Sequence, residues 1–133
     1  MPIGGIEHIN IWAVDLDATI AFYRNVLGLE QGDRPPFDFP GAWLYAGGVP
    51  VIHLVGPRAA DANRPPRRAQ PTGQIDHVAL AATGLPDMRA RLKAHGLAFR
   101  EQVVPRDGVT QLFVTDPNGV VLELNFPASE TGG

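Results

Sequence analysis

The sequence has 133 residues, of which 44% are hydrophobic and 19% are charged, so we expect one compact globular domain. Its net charge of −3, with Lys93 as the single lysine, excludes the strongly positive surface that nucleic-acid binding needs. There is no apolar run near the ~20 residues that cross a bilayer, and the opening residues lack a signal-peptide pattern, so we expect a cytoplasmic protein without membrane contact.

An internal repeat organises the chain. The segment IEHINI at 6–11 matches IDHVAL at 75–80 almost position for position, and VIHL at 51–54 matches VLEL at 121–124. Each copy therefore begins with an acidic residue and a histidine before an apolar strand, and closes with a strand carrying one polar residue. The sequence predicts two related modules.

In the first module, an amphipathic helix follows the N-cap Asp15, with Leu16, Ile20, Tyr23 and Leu27 on its inner face, and Gly28 ends it. The segment 34–43 is rich in proline and aromatic residues and predicts an irregular loop that could cover a pocket or pack on a neighbouring subunit. Predicted strands lie near Gln31 and over 42–46 and 49–55. The first module covers about 4–57.

A segment of about 58–73, rich in proline, arginine and alanine, predicts a linker, and the second module covers about 74–128 of a single domain spanning 1–133. Its helix presents Leu85, Met88 and Leu92 and ends before Gly96. Strands are expected over 98–103, 109–115 and 120–126, with the turn DPNG at 116–119 between the last two. Each module reads strand, helix and three strands.

Four polar side chains lie on the non-aliphatic face of four strands, because neighbouring residues of a strand point to opposite faces. They are His8, His53, His77 and Glu123. Each could be an ordinary half-buried polar residue, but three of the four histidines fall at repeat-related positions, whereas His95 lies at a helix end. The chain has no cysteine, and imidazole with carboxylate suits Fe(II), Ni, Zn, Co or Mn. These four residues are the predicted metal ligands.

The chain resembles the vicinal oxygen chelate superfamily, which includes glyoxalases, bleomycin-resistance proteins and extradiol dioxygenases. The motifs that carry the resemblance are the two strands with an acidic residue and a histidine, AFYRNVLGL at 21–29 and DPNGVVLE at 116–123. The resemblance implies an α+β fold in which two βαβββ modules form a curved, barrel-like sheet around a metal ion. It also implies a homodimer, and it places the metal ligands at His8, His53, His77 and Glu123.

The resemblance implies a metal-dependent enzyme acting on a small molecule that chelates the ion through vicinal oxygens. With all four ligands bound, two positions remain open, which suits a lyase or isomerase; glyoxalase I, however, has a glutamate where this chain has His53. If His53 stands back as a general base, the remaining triad resembles the dioxygenases. Glu123 and His53 are the predicted catalytic residues, and Tyr45 is a further candidate hydrogen-bond donor.

Two other functions remain open. The positions His8, His77 and Glu123 also match the fosfomycin-resistance thiol transferases. A metal-free, ligand-binding protein of the bleomycin-resistance type has the same architecture, but such proteins generally lack a complete set of metal ligands.

Overall fold

The computed structural model describes residues 2–57 and 69–130, and the chain divides into two compact units, Met1–Arg68 and Ala69–Gly133. Each unit contains a four-stranded mixed sheet and a helix, in the order strand, helix, three strands. This confirms the predicted α+β class and the two βαβββ modules. Residues 58–68 of the predicted linker lie outside the described residues. None of the described helices is long and apolar enough to cross a membrane.

In the first unit, the sheet has the order β1-β4-β3-β2, with β1 parallel to β4 and the other neighbours antiparallel. The elements are β1 (Ile9–Trp12), α1 (Leu16–Ala21), a π-helical turn (Phe22–Val26), β2 (Glu30–Gly32), β3 (Gly41–Ala46) and β4 (Val49–Val55).

In the second unit, the sheet repeats this topology as β5-β8-β7-β6, again with one parallel pair, β5 with β8. The elements are β5 (Val78–Ala81), α2 (Leu85–Ala94), β6 (Arg100–Val103), β7 (Thr110–Thr115), β8 (Val121–Phe126) and a 3-10 turn (Ala128–Glu130).

The core of each unit lies on one face of its sheet. Ile52 and Leu54 of β4 are buried, as are Leu122 and Leu124 of β8, while the residues between them point to the opposite face. Burying these aliphatic side chains is the main stabilising contribution to each unit. The predicted division of β4 and β8 into an aliphatic face and a polar face is therefore confirmed.

The inner face of the first helix differs from the prediction. Asp15 caps the helix as expected, since its Oδ1 accepts the N–H of Ala18 at 2.9 Å, but the helix widens into a π turn after Ala21. A π turn accommodates an extra residue, which rotates the residues after it around the axis. Within and after this turn, Phe22, Tyr23 and Val26 are buried and Leu27 is half-buried. In α1, ahead of the turn, Thr19 is buried and the predicted Leu16 and Ile20 are half-buried.

The second helix has the predicted inner face of Leu85, Met88 and Leu92. It ends in a Schellman motif, in which Leu97 N–H donates to the Leu92 carbonyl and Gly96, at φ 67°, donates to the Lys93 carbonyl. Its N-terminus contains an unexpected cap. The Glu130 carboxylate accepts the N–H of Gly84 at 3.0 Å and that of Leu85 at 2.9 Å.

The turn at 116–119 is built around Asp116. One oxygen of its buried carboxylate accepts the N–H groups of Asn118 at 2.8 Å and Val120 at 2.9 Å. Gly119 has φ 92°, and a side chain there would collide with the backbone of Gln70. Because the turn uses the Val120 N–H, β8 begins at residue 121 rather than at 120 as predicted.

Candidate functional site

In the first unit, the fold brings His8 and His53 together. The parallel register places Asn10 opposite His53. His8 directly precedes β1 rather than lying within the strand as predicted, and its ring reaches the side of the sheet that carries His53. The two imidazole rings stack with centroids 3.7 Å apart and planes 13° apart. Trp43 of β3 covers the other face of His53, with centroids 3.9 Å apart and planes at 9°. The three rings therefore form one continuous stack.

The environment of His53 favours its neutral form. Burial lowers the pKa of His53 below its usual 6.5, and the adjacent His8 lowers this pKa further, so the ring is uncharged at neutral pH. Its Nε2 is buried and has no hydrogen-bond partner among the described residues. A buried nitrogen left in this way is costly unless a ligand or an ion uses it.

In the second unit, the fold brings His77 and Glu123 together. Ala79 is opposite Glu123 in the β5–β8 register, and His77 directly precedes β5 rather than lying within the strand as predicted. The distance from His77 Nε2 to Glu123 Oε1 is 3.3 Å. Glu123 is only 9% exposed, and its other oxygen accepts a hydrogen bond from Asn125 Nδ2 at 2.9 Å. The Phe113 ring lies edge-on to the His77 ring, with the two ring centroids 6.1 Å apart.

The acidic residue before each of these two outer histidines orients its imidazole. His8 Nδ1 lies 3.0 Å from Glu7 Oε1, and His77 Nδ1 lies 2.8 Å from Asp76 Oδ2. An ionised carboxylate can only accept, so Nδ1 is the donor in both pairs, and Nε2 is left to face a ligand. The hydrogen bond to Asp76 also raises the pKa of His77, with a contribution from Glu123.

The two units thus present equivalent positions with different chemistry. The corresponding residues are His8 and His77, His53 and Glu123, and Trp43 and Phe113, as the registers place them. Within either unit, the described part of the chain gathers two such metal-binding side chains, and among residues 2–57 and 69–130 no group of three or more could hold an ion. The four predicted ligands are therefore found as two pairs, one in each unit.

Two features of the second unit were not predicted. Side-chain amides continue from Glu123 across the sheet through Asn125, Gln111 and Gln102. A hollow of about 410 Å³ also opens at the end of β5 and β8, next to Asn125. It is lined by Ala81, Ala82, Thr83, Val109, Asn125, Phe126 and Pro127. The spacing of Glu123 and Asn125, two residues apart on one strand, is the sequence signal that could have indicated Asn125.

Tyr45, the further candidate donor, uses its hydroxyl elsewhere. It donates to the backbone carbonyl of Asp33 at 2.6 Å, and its ring lies against Gly32. This contact fixes β3 to the start of the loop that follows β2. The loop itself contains a stacked pair, Phe37 and Phe39, with the Arg34 guanidinium 5.0–5.2 Å from both ring centroids.

The class of protein follows from two repeated βαβββ units, one with a pair of histidines and the other with a histidine and a glutamate on the same face of its sheet. The chain belongs to the Glyoxalase/Bleomycin resistance protein/Dioxygenase superfamily, whose family model matches residues 5–124. This confirms the resemblance to that superfamily predicted from the sequence.

Individual proteins similar to this chain include one curated relative and several solved structures. Glyoxylase I 4 of Arabidopsis thaliana is 25% identical over 127 residues, which cover 93% of this chain and 71% of the relative. A crystal structure of a glyoxylase/bleomycin resistance protein/dioxygenase domain from Frankia sp. EAN1pec matches with TM-score 0.73 and 21% identity, covering 94% of this chain and 98% of the other. The fosfomycin resistance protein FosX from Listeria monocytogenes matches with TM-score 0.68 and 20% identity, covering 93% of each chain. These two structures support the fold.

Proposed function

We propose that this chain is a metal-dependent enzyme that acts on a small molecule presenting two vicinal oxygens. In this proposal His8, His53, His77 and Glu123 hold one divalent ion, drawn from Fe, Ni, Zn, Co or Mn. The observation that carries it is the paired arrangement of donors, in which each outer histidine has Nδ1 held by a carboxylate and Nε2 directed away from it. Ligating histidines are commonly oriented in this way.

The inner position of each pair also fits a metal ligand. His53 Nε2 is buried without a partner among the described residues, and the lowered pKa keeps the lone pair available at neutral pH. Glu123 Oε1 lies beside His77 Nε2. Three imidazole nitrogens and one carboxylate are a donor set that suits a borderline divalent ion. Such an ion, when bound, supplies Lewis-acid stabilisation of a developing oxyanion on the substrate.

The side chains around these donors have separate roles. Glu7 and Asp76 hold the His8 and His77 rings, and Glu123 contributes the negative charge. His53 Nε2 is either a fourth ligand or the base that takes a proton from the substrate, since a neutral imidazole can do either. The hollow of about 410 Å³ next to Asn125 is within the usual size of small-molecule sites, roughly 300–1,000 Å³, and receives the apolar part of the substrate.

We propose that the protein acts as a homodimer. Ile6 and Ile75 occupy equivalent positions of the repeat, immediately before the acidic residues that orient the histidines, and they are 94% and 65% exposed. In this proposal the partner chain covers these two exposed side chains. Light scattering on the purified protein would give the mass of a dimer, and the mass of a monomer would reject this part of the proposal.

Metal content is the first experiment. The protein is purified under anaerobic conditions without chelators, and metal is measured per chain in the wild type, in Glu123→Gln and in the exposed control Glu30→Gln. We expect about one ion per chain in the wild type and the control, and loss of tight binding and of turnover in Glu123→Gln. Full activity of Glu123→Gln, or a wild type that neither carries nor rebinds a metal, would reject the proposal and favour metal-free ligand binding.

The ion that is found selects the reaction. Near-stoichiometric iron would direct the substrate screen to catechols with oxygen uptake as the readout. Nickel, zinc, cobalt or manganese would direct it to lyase, isomerase or thiol-transfer chemistry. Replacing His53 by alanine then separates its two roles, because loss of the ion identifies a ligand, whereas loss of turnover with the ion retained identifies a base. The stacking of Trp43 on His53 makes its fluorescence a second report of ion binding.

A further inference from the structure

We infer that Asn125 is a positioning residue for Glu123, and that Gln111, Gln102 and Arg100 fix its orientation through a directional chain of hydrogen bonds. The inference rests on the proposed function, because it assigns the role of this chain toward the ion that Glu123 would hold.

The chain of hydrogen bonds crosses three strands. Asn125 Nδ2 donates to Glu123 Oε2 at 2.9 Å, and Gln111 Nε2 donates to Asn125 Oδ1 at 3.1 Å. Gln102 Nε2 donates to Gln111 Oε1 at 2.6 Å, and Arg100 donates to Gln102 Oε1 at 3.0 Å. Each amide accepts with its oxygen from one neighbour and donates with its nitrogen to the next.

The two ends of this chain determine its direction. A guanidinium can only donate, and an ionised carboxylate can only accept. Gln102 must therefore turn its amide oxygen to Arg100, and this orientation turns the amide nitrogen of Gln102 to Gln111. Gln111 and then Asn125 take the same orientation for the same reason. Reversing any one amide would place two donors or two acceptors against each other. The sequence of donors and acceptors thus makes Asn125 turn its amide N–H, and not its oxygen, to Glu123.

The guanidinium end is held in place by stacking. Arg100 Cζ lies 4.1 Å from the centroid of the Phe113 ring, whose edge faces His77. The contacts close into a ring that begins and ends at the pair of His77 and Glu123. Exposure falls along this ring, because Arg100 and Gln102 are exposed, Gln111 and Asn125 are half-buried and Glu123 is buried. The direction of the hydrogen bonds is therefore set at the exposed Arg100 and ends at the buried carboxylate of Glu123.

The first unit shows that the fold does not require this chain. In the registers, Val55 corresponds to Asn125 and Gly41 corresponds to Gln111, and neither has a polar side chain. The amides of Asn125 and Gln111 thus have no counterpart at the equivalent positions of the strands next to His53. Because Asn125 occupies Oε2, Glu123 presents Oε1 toward His77, and this defines which oxygen is available as a ligand.

Titration with Co²⁺ alone tests the inference without any substrate. We expect Asn125→Ala to weaken Co²⁺ affinity by about 10- to 100-fold, the usual effect of losing a partner of a metal ligand, and to change the visible absorption of the Co²⁺ complex. Gln111→Ala, which does not touch Glu123, should give a smaller loss in the same direction and also covers the case in which Asn125→Ala does not fold. Asn25→Ala, at an exposed position, is the control and should match the wild type.

Each result decides between the two claims. If Asn125→Ala and Gln111→Ala bind Co²⁺ with the affinity and spectrum of the wild type, the positioning role is wrong and the proposed metal site stands. If only Gln111→Ala matches the wild type, Asn125 positions Glu123 but the longer chain does not contribute. If the wild type binds no Co²⁺ or other divalent ion, the proposed function fails and the inference fails with it.

Discussion

Replacing Glu130 should destabilise a helix that lies 46 positions earlier in the sequence. Its carboxylate accepts the N–H of Gly84 through both oxygens, at 3.0 and 3.1 Å, and the N–H of Leu85 at 2.9 Å. Gly84 occupies the N-cap with φ 80° and has no side chain to cap the helix, and Pro86 has no N–H at all. Glu130 therefore performs the function that a local Ser or Asp would otherwise have.

The magnitude follows from two contributions. Losing a helix cap costs about 0.5–2 kcal/mol, and a negative charge at a helix N-terminus contributes about 0.3–1 kcal/mol. We expect Glu130→Ala to lower the free energy of unfolding by about 1–2 kcal/mol. Glu130→Gln keeps an acceptor but loses the charge, so its cost should be about 0.3–1 kcal/mol.

Urea unfolding followed by far-UV circular dichroism measures both effects. The unfolding midpoints of Glu130→Ala and Glu130→Gln are compared with those of the wild type and of Glu30→Gln, which changes an exposed glutamate on β2. The slope of the unfolding free energy against urea concentration should be the same in all four proteins. Truncation after Pro127 should reproduce Glu130→Ala. If Glu130→Ala stayed within about 0.5 kcal/mol of the wild type, as ordinary surface substitutions do, the remote cap would not stabilise α2.

Three further predictions concern stability. Leu92→Ala removes a fully buried side chain and should cost about 2–5 kcal/mol in urea unfolding; a cost under about 1 kcal/mol would contradict the packing of α2. Gly119→Ala should cost more than about 1 kcal/mol, because φ is 92° and the new methyl group meets the Gln70 backbone; an unchanged melting temperature would refute this. The hydrogen bond to Arg89 lowers the pKa of Glu101 below 4.5, so the pair stabilises the fold above that pH and loses this effect as the pH falls through the folded-state pKa. Solvent screening limits the effect to about 0.2–1 kcal/mol, and the difference between wild type and Glu101→Gln should close in urea unfolding at acidic pH; a constant difference would contradict the ion pair.

The sequence predicted the order of elements because the repeat and the local signals agree. Asp15, Gly96 and the Asp116 turn each act within a few residues, so their chemistry is legible in the sequence itself. The aliphatic faces of β4 and β8 follow from alternation alone. The same alternation placed His8 with His53, and His77 with Glu123, on shared faces.

The features that escaped prediction depend on contacts between distant residues or on a change of helical period. At the end of the first helix the π turn buries Val26 rather than the predicted Leu27, and helical spacing at 3.6 residues does not detect it. The Glu130 cap joins segments that no local motif connects. The amide chain needs the register of three strands before its members become neighbours.

The crowding around Gly41 makes the first module unable to carry the amide side chain that the second module has at the equivalent position. A methyl group at Gly41 would collide with the Leu54 carbonyl and lie 2.8 Å from the Arg34 guanidinium, so this position cannot take the glutamine found at its counterpart, Gln111. Introducing the amides of the second module into the first would therefore distort β3 at Gly41 before any hydrogen bond between the amides could form. The chain of amides that orients Glu123 is therefore confined to the second unit for as long as β3 and β4 of the first unit pack this closely at Gly41.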